Sequence, residues 1–151
     1  MKKYFSLVLF AHSIFAMPFA LIGFFLAINT TSEPFTWLKL LLVVMCMVFA
    51  RNAAMAFNRY LDRDIDALNE RTKSRDIPAG KIKPTQALLF TIFNCVLFIT
   101  ATYFINSICF YLSPIALFVV LFYSYTKRFT PLCHFVLGLG LALSPIGAYL
   151  A

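Results

Sequence analysis

The chain concentrates its charge in one segment and leaves the rest oily. Residues 4–28 contain no Asp, Glu, Lys or Arg, and further long apolar runs fill most of the chain after residue 36. Between two of those runs lies the segment 58–83, NRYLDRDIDALNERTKSRDIPAGKIK. It holds five of the six acidic residues and seven of the thirteen Lys and Arg. An apolar run of about 20 residues is the length at which a helix crosses bilayer hydrocarbon. Within hydrocarbon, backbone hydrogen bonds must be satisfied internally. The expectation is an all-α fold, a polytopic transmembrane helical bundle of about five spans.

The expected spans are 4–28, 37–66, 84–106, 108–125 and 134–151, with a loop at 67–83. Pro18 should kink the first, and Trp37 anchors the second at an interface. Pro84 suits the first turn of the third. Gly138, Gly140, Ser144 and Gly147 permit close helix approach in the fifth. With the N-terminus inside, eleven Lys and Arg fall on the inner face against Lys39 alone outside. That asymmetry places the N-terminus and the charged segment on the cytoplasmic side.

At 62% hydrophobic residues over 151 positions, a soluble domain could not hide its apolar surface. The net charge of +7 does not imply nucleic acid, because the basic residues flank membrane spans. Cys46, Cys95, Cys109 and Cys133 form no C-x-x-C pair and read as inert buried thiols. His12 and His134 read as packed or interfacial residues.

Asn58, Asp62 and Asp66 recur every fourth residue. On a helix they drift by only about 80° in all and share one face. Arg51, seven residues earlier, falls on that face too, while Asp64 points elsewhere. Two carboxylates and an amide oxygen are hard donors that suit Mg²⁺, an ion that takes few protein carboxylates and completes its shell with water and phosphate oxygens. The plainer alternative is a solvated helix end paired with Arg59, Arg63 and Arg71. Ionisable residues clustered where a helix leaves the membrane favour the metal site.

A second element is the YSYTKR sequence at 123–128, with Tyr123 and Lys127 one helical turn apart. An aromatic belt followed by basic residues is the ordinary boundary reading. Combined with the acidic face, it suggests a diphosphate site: carboxylates for Mg²⁺, and Lys127, Arg71 or Arg75 for the remaining phosphate charge. The Phe-rich spans would then hold a long isoprenoid tail.

These residues resemble the UbiA superfamily of intramembrane prenyltransferases, closest to its 4-hydroxybenzoate polyprenyltransferase-like branch. The likeness rests on N-x-x-x-D-x-x-x-D at Asn58, Asp62 and Asp66, the DALNERTKSRDIPAG run behind it, and Y-x-x-x-K at Tyr123 and Lys127. The HSIFAMPFAL stretch from His12 and the Gly- and Pro-containing fifth span match less specifically. The resemblance implies transfer of a prenyl group from a polyprenyl diphosphate to an aromatic acceptor, with Mg²⁺, in ubiquinone or menaquinone biosynthesis. It implies metal binding by Asn58, Asp62 and Asp66, diphosphate contact by Lys127, and Tyr123 lining the site. Arg51, Arg71 and Arg75 join as substrate-binding candidates. Many members carry aspartate where this chain has Arg59, a change expected to alter phosphate or loop contacts.

The family fold has nine transmembrane helices and a second aspartate-rich motif, whereas the D-x-x-x-D of this chain occurs once. The chain thus looks like the N-terminal half of such an enzyme, with the missing C-terminal half as a partner. Two other readings remain open. One is a non-catalytic or split membrane module that binds metal–diphosphate or a partner half. The other is a small transporter using Arg51 and the aspartates as an ion path.

Overall fold

The computed structural model describes residues 10–31 and 34–151, with side chains from Met17 onward in the first segment. Lys2, Lys3, residues 4–9 of the expected first span and the His12 side chain lie outside the described residues. Among the described residues five α-helices follow one another: α1 Phe10–Thr31, α2 Trp37–Leu68, α3 Pro84–Ile105, α4 Ser107–Thr126 and α5 Cys133–Tyr149. There is no strand among the described residues. α1 runs on through Pro18, and α4 and α5 likewise contain Pro114 and Pro145.

α2 sets the geometry. Its 32 residues rise to about 48 Å at ~1.5 Å each, well beyond a hydrocarbon core of ~30 Å. Its apolar first part can cross the membrane, and its polar last part must then stand at the surface. The helix stops at Asn69, whose extended backbone (φ −99°, ψ 122°) leaves the helical region. The Asn69 side chain accepts from Arg71 N at 3.0 Å and turns the chain back.

The segment between α2 and α3 is folded onto the bundle. Ile77 and Ile82 are buried against Ala56 of α2 and Ala87 of α3. The Asp76 carbonyl accepts from Lys81 N at 2.9 Å and Ile82 N at 3.1 Å, around Gly80 at a left-handed φ of 70°. Ala53, Ala56 and Ala87 are fully buried, so the backbones of α2 and α3 approach closely. Asn52 Nδ2 donates to Asn94 Oδ1 at 3.2 Å, a polar tie across this pair.

The other helices close the bundle. Asn106 separates α3 from α4, accepts from Cys109 N at 2.7 Å as the N-cap, and donates to the Leu150 carbonyl at 2.6 Å. Thr30 of α1 and Tyr149 of α5 share a hydrogen bond of 3.0 Å. Ala20 and Phe24 of α1 bury with Val43 and Met47 of α2 and Ala148 of α5.

α2, α3 and α4 are each long and apolar enough to cross a membrane. α5, at 17 residues, and the part of α1 from Met17 are shorter apolar helices. Trp37, Tyr111, Phe118 and Phe135 lie exposed on the outside, a surface that suits lipid. The molecule is an integral membrane helical bundle. All four cysteines are free thiols, and His134 is exposed at the start of α5.

Candidate active site

The polar end of α2 meets the end of α4. Lys127 follows the last residue of α4, where a cation complements the helix carbonyls. Its Nζ lies 3.0 Å from Asn58 Oδ1 and also bonds the Asp62 carboxylate. Arg128 bonds the Leu61 carbonyl and stands 3.9 Å from Asp62 Oδ1. One turn further along α2, Asp66 receives Arg75, whose terminal nitrogen reaches both carboxylate oxygens at 2.9 and 2.8 Å. The backbone of Asp66 is also tied, its carbonyl accepting from Thr72 Oγ1 at 3.1 Å. Asp62 and Asp66 are both buried, and each is thereby neutralised within the protein.

Beneath this cluster lies a cavity of about 630 Å³. Its walls are mostly apolar, from Val43, Met47, Phe98, Leu117, Val120 and Leu141 among others. Asn58, Arg59, Arg75 and Tyr123 line it as well, and so does Arg51, about two turns before Asn58 on α2. Among the described residues, no Asp or Glu lines it. Arg51 Nε, Ser124 Oγ and Ser144 Oγ are buried in the bundle without hydrogen-bond partners, and all three residues line this cavity. A second cavity of about 480 Å³ lies against Asp62, Ile65, Asp66, Lys127 and Arg128. The arrangement therefore has an apolar body, a cationic lining on one side and the carboxylates on the other. It can hold an amphiphile with a polyanionic head.

The donors Asn58 Oδ1 and Asp62 converge on one cation, here the Lys127 ammonium, and Asp66 shares the adjoining cavity with Asp62. These oxygens fit Mg²⁺, which takes few protein carboxylates. Among the described residues, no group of three His, Cys, Asp or Glu side chains could hold a metal unaided. The rest of such a shell would have to come from Asn58, water and substrate phosphate.

The structure thus gathers Asn58, Asp62 and Lys127, holds Asp66 with Arg75, and points Tyr123 and Arg51 into the cavity. Arg71 is not brought in: its side chain is exposed and it lines neither cavity, because the Asn69 turn directs it outward. Asp64 is exposed beside Arg63 at 3.6 Å. Two charged residues outside the expected set line the cavities. Arg128 follows Lys127 directly, which was its only signal. Arg59 reaches Asp76 at 3.4 Å and lines the larger cavity.

Three comparisons bear on this geometry. The model of the UbiA prenyltransferase family matches residues 16–151. A 4-hydroxybenzoate octaprenyltransferase from Vesicomyosocius okutanii subsp. Calyptogena okutanii (strain HA) is 40% identical over 126 residues. That match covers 83% of this chain and 46% of the relative, so the chain spans about half the relative's length. The apo structure of a UbiA homologue from Aeropyrum pernix K1 superimposes with a TM-score of 0.83 at 33% identity, over 91% of this chain and 49% of that one. A UbiA homologue from Archaeoglobus fulgidus bound to GPP and Mg²⁺ shares the fold, with a TM-score of 0.75 at 21% identity, over 99% of this chain and 54% of that one. The family model over residues 16–151 and the 40% identical relative agree with the fold, and the chain belongs to the UbiA prenyltransferase family.

Proposed function

We propose that these residues supply the diphosphate end of a prenyltransferase that moves a polyprenyl group from its diphosphate to an aromatic acceptor such as 4-hydroxybenzoate, in quinone biosynthesis. The observation that carries this reading is the convergence of Asn58 and Asp62 on one cation at the edge of a long apolar cavity. In the reaction the allylic carbon–oxygen bond breaks, and diphosphate leaves with the electron pair. The ring then attacks the allylic carbon, a carbon–carbon bond forms, and the ring loses a proton.

Asn58 and Asp62 would hold Mg²⁺ in this reading, with Asp66 beside them. The ion, when bound, neutralises charge on the departing diphosphate. Lys127 turns from the carboxylate to the phosphate oxygens, and Arg75 does the same from Asp66. Arg51, with a buried Nε lacking a partner, meets the acceptor's carboxylate inside the cavity. The apolar walls take the prenyl chain and keep water from the allylic cation. The basic flanks and the bacterial relative favour a site facing the cytoplasm, in the inner membrane, with the N-terminus inside.

The test is a chimera in which this chain replaces the segment it matches in the Vesicomyosocius okutanii octaprenyltransferase. Membranes carrying it should make prenylated 4-hydroxybenzoate only when Mg²⁺ is present. A correctly inserted chimera that binds prenyl diphosphate but forms no product would contradict the transferase reading. It would favour a module that only binds.

A further inference from the structure

A hydroxyl buried in a helix commonly turns back to a carbonyl of the preceding turn. Thr91 Oγ1 bonds the Ala87 carbonyl at 3.0 Å, Thr102 Oγ1 the Ile99 carbonyl at 2.8 Å, and Ser113 Oγ of α4 the Phe110 carbonyl at 2.8 Å. Ser124, on the same helix as Ser113, does not. It is 1% exposed, its Oγ has no hydrogen-bond partner, and it lines the larger cavity. A hydroxyl buried in this way costs stability that an alanine would not. The group that completes it has to come from whatever fills the cavity.

The place of Ser124 in the bundle narrows that group. α2 and α4 run in the same direction, since α3 returns between them, and Lys127 at the end of α4 meets Asn58 of α2. Ser124, three residues before Lys127, is just under one helical turn deeper than the diphosphate end. Arg51, seven residues before Asn58, is about one turn deeper again. Ser144 Oγ is also unpartnered, but α5 runs back from the end of α4 and Gly140 faces Val120, where an added Cβ would stand 3.8 Å from Val120 Cγ2. Ser144 is therefore about one turn beyond Val120, on the side away from Lys127. Of the two unpartnered hydroxyls, Ser124 is the one near the carbon that loses diphosphate. Arg51 lies below it by about the length of a benzene ring that carries a substituent at each end.

We propose that Ser124 binds the hydroxyl of a para-hydroxylated aromatic acid whose carboxylate meets Arg51, and so fixes which ring carbon is presented to the prenyl group. This rests on the aromatic-acceptor reading above. With the carboxylate held deep and the hydroxyl held near the diphosphate end, the ring carbon beside the hydroxyl faces the allylic carbon. That carbon is also one that the hydroxyl oxygen makes electron-rich. The phenolic O–H donates to Ser124 Oγ, which satisfies the buried serine and sets the rotation of the ring. Ser124 takes no proton, and the bonds made and broken are those of the transfer itself.

The full chain in lipid nanodiscs is titrated with 4-hydroxybenzoate and with benzoate, which keeps the carboxylate and lacks the hydroxyl. Wild type should bind 4-hydroxybenzoate about tenfold more tightly than benzoate. Ser124→Ala should bring the two within about threefold, by weakening 4-hydroxybenzoate and leaving benzoate unchanged. The variant should melt no lower than wild type, because it removes a hydroxyl that finds no partner within the protein. Discrimination retained in Ser124→Ala overturns the proposal. Equal weakening of both ligands with a lower melting temperature does so too, since that marks a residue that only packs. A wild-type chain that binds the two ligands alike also overturns it, and leaves Arg51 as the acceptor's anchor. Wild type that binds neither defeats the acceptor reading itself, and Ser124 with it.

Discussion

Lys127 reaches Asn58 across 69 positions of sequence, its Nζ 3.0 Å from the amide oxygen, and bonds Asp62 from the same place. A cation supplied by the protein therefore stands where the proposed Mg²⁺ would have its donors. The carboxylate cannot serve both fully. In the proposed function Lys127 would have to move before Asp62 could give its charge to a metal, and an anionic ligand would draw the ammonium away.

Metal and diphosphate should consequently bind together. Mn²⁺ binding, followed by electron paramagnetic resonance, should be weak for the chain alone and tighten about tenfold or more when a prenyl diphosphate is added. Lys127→Met should bind Mn²⁺ more tightly than wild type without diphosphate and lose most of the cooperation. Mn²⁺ affinity indifferent to both changes would contradict this coupling.

Asp62 and Asp66 should not be equivalent. In the chimera, Asp62→Ala should lower Mg²⁺-dependent transfer by about a hundredfold or more, since it removes the carboxylate that converges with Asn58 and strands Lys127. Asp66→Ala should also impair transfer, and should in addition free Arg75 and loosen the loop. Limited proteolysis of the 69–83 segment reads that second effect. Near-normal turnover in Asp62→Ala would remove the metal site from the account.

Arg51 is tested by a split in kinetic constants. Arg51→Met should raise the KM for 4-hydroxybenzoate about tenfold and leave that for the prenyl diphosphate nearly unchanged. Replacing the acceptor with a ring that lacks the carboxylate should erase the difference between wild type and variant. An equal rise for both substrates would place Arg51 elsewhere in the reaction.

The crossing of α1 and α5 depends on Gly23. A Cβ built there would stand 2.8 Å from Pro145 Cα and press on the Pro145 carbonyl oxygen, which is backbone and cannot turn aside. Gly23→Ala should therefore cost about 1–3 kcal/mol and lower the melting temperature in detergent. Gly138→Ala is the control, because nothing lies within 4 Å of its added methyl. Equal melting of the two variants would contradict the close crossing.

The parts of this molecule legible in the sequence are those governed by local periodicity. Long apolar runs give helices, and a four-residue spacing puts Asn58, Asp62 and Asp66 on one face of α2. What faces them is not local. The meeting of Lys127 with Asn58 depends on how α4 packs against α2, and no spacing within either helix encodes it. Asp66 was expected to join a single three-donor set, whereas the structure holds it to Arg75 in the segment after α2. The choice between Arg75 inward and Arg71 outward is made by the Asn69 side chain and the Asp76 carbonyl turn, in an aperiodic stretch. Ile77 and Ile82 were the readable hint that this stretch packs down, being apolar residues in a run of charges. The fifth helix, Cys133–Tyr149, begins within one residue of the expected 134, and Leu150 keeps helical backbone angles with its N–H on the Ile146 carbonyl.

The most direct measurement is the affinity of the wild-type chain in nanodiscs for farnesyl diphosphate, by isothermal titration, in Mg²⁺ and in EDTA. The account predicts binding in Mg²⁺ that weakens at least about tenfold in EDTA and to a similar degree in Asp62→Ala. The same affinity under all three conditions would show that the acidic face of α2 has no part in holding a metal or a diphosphate.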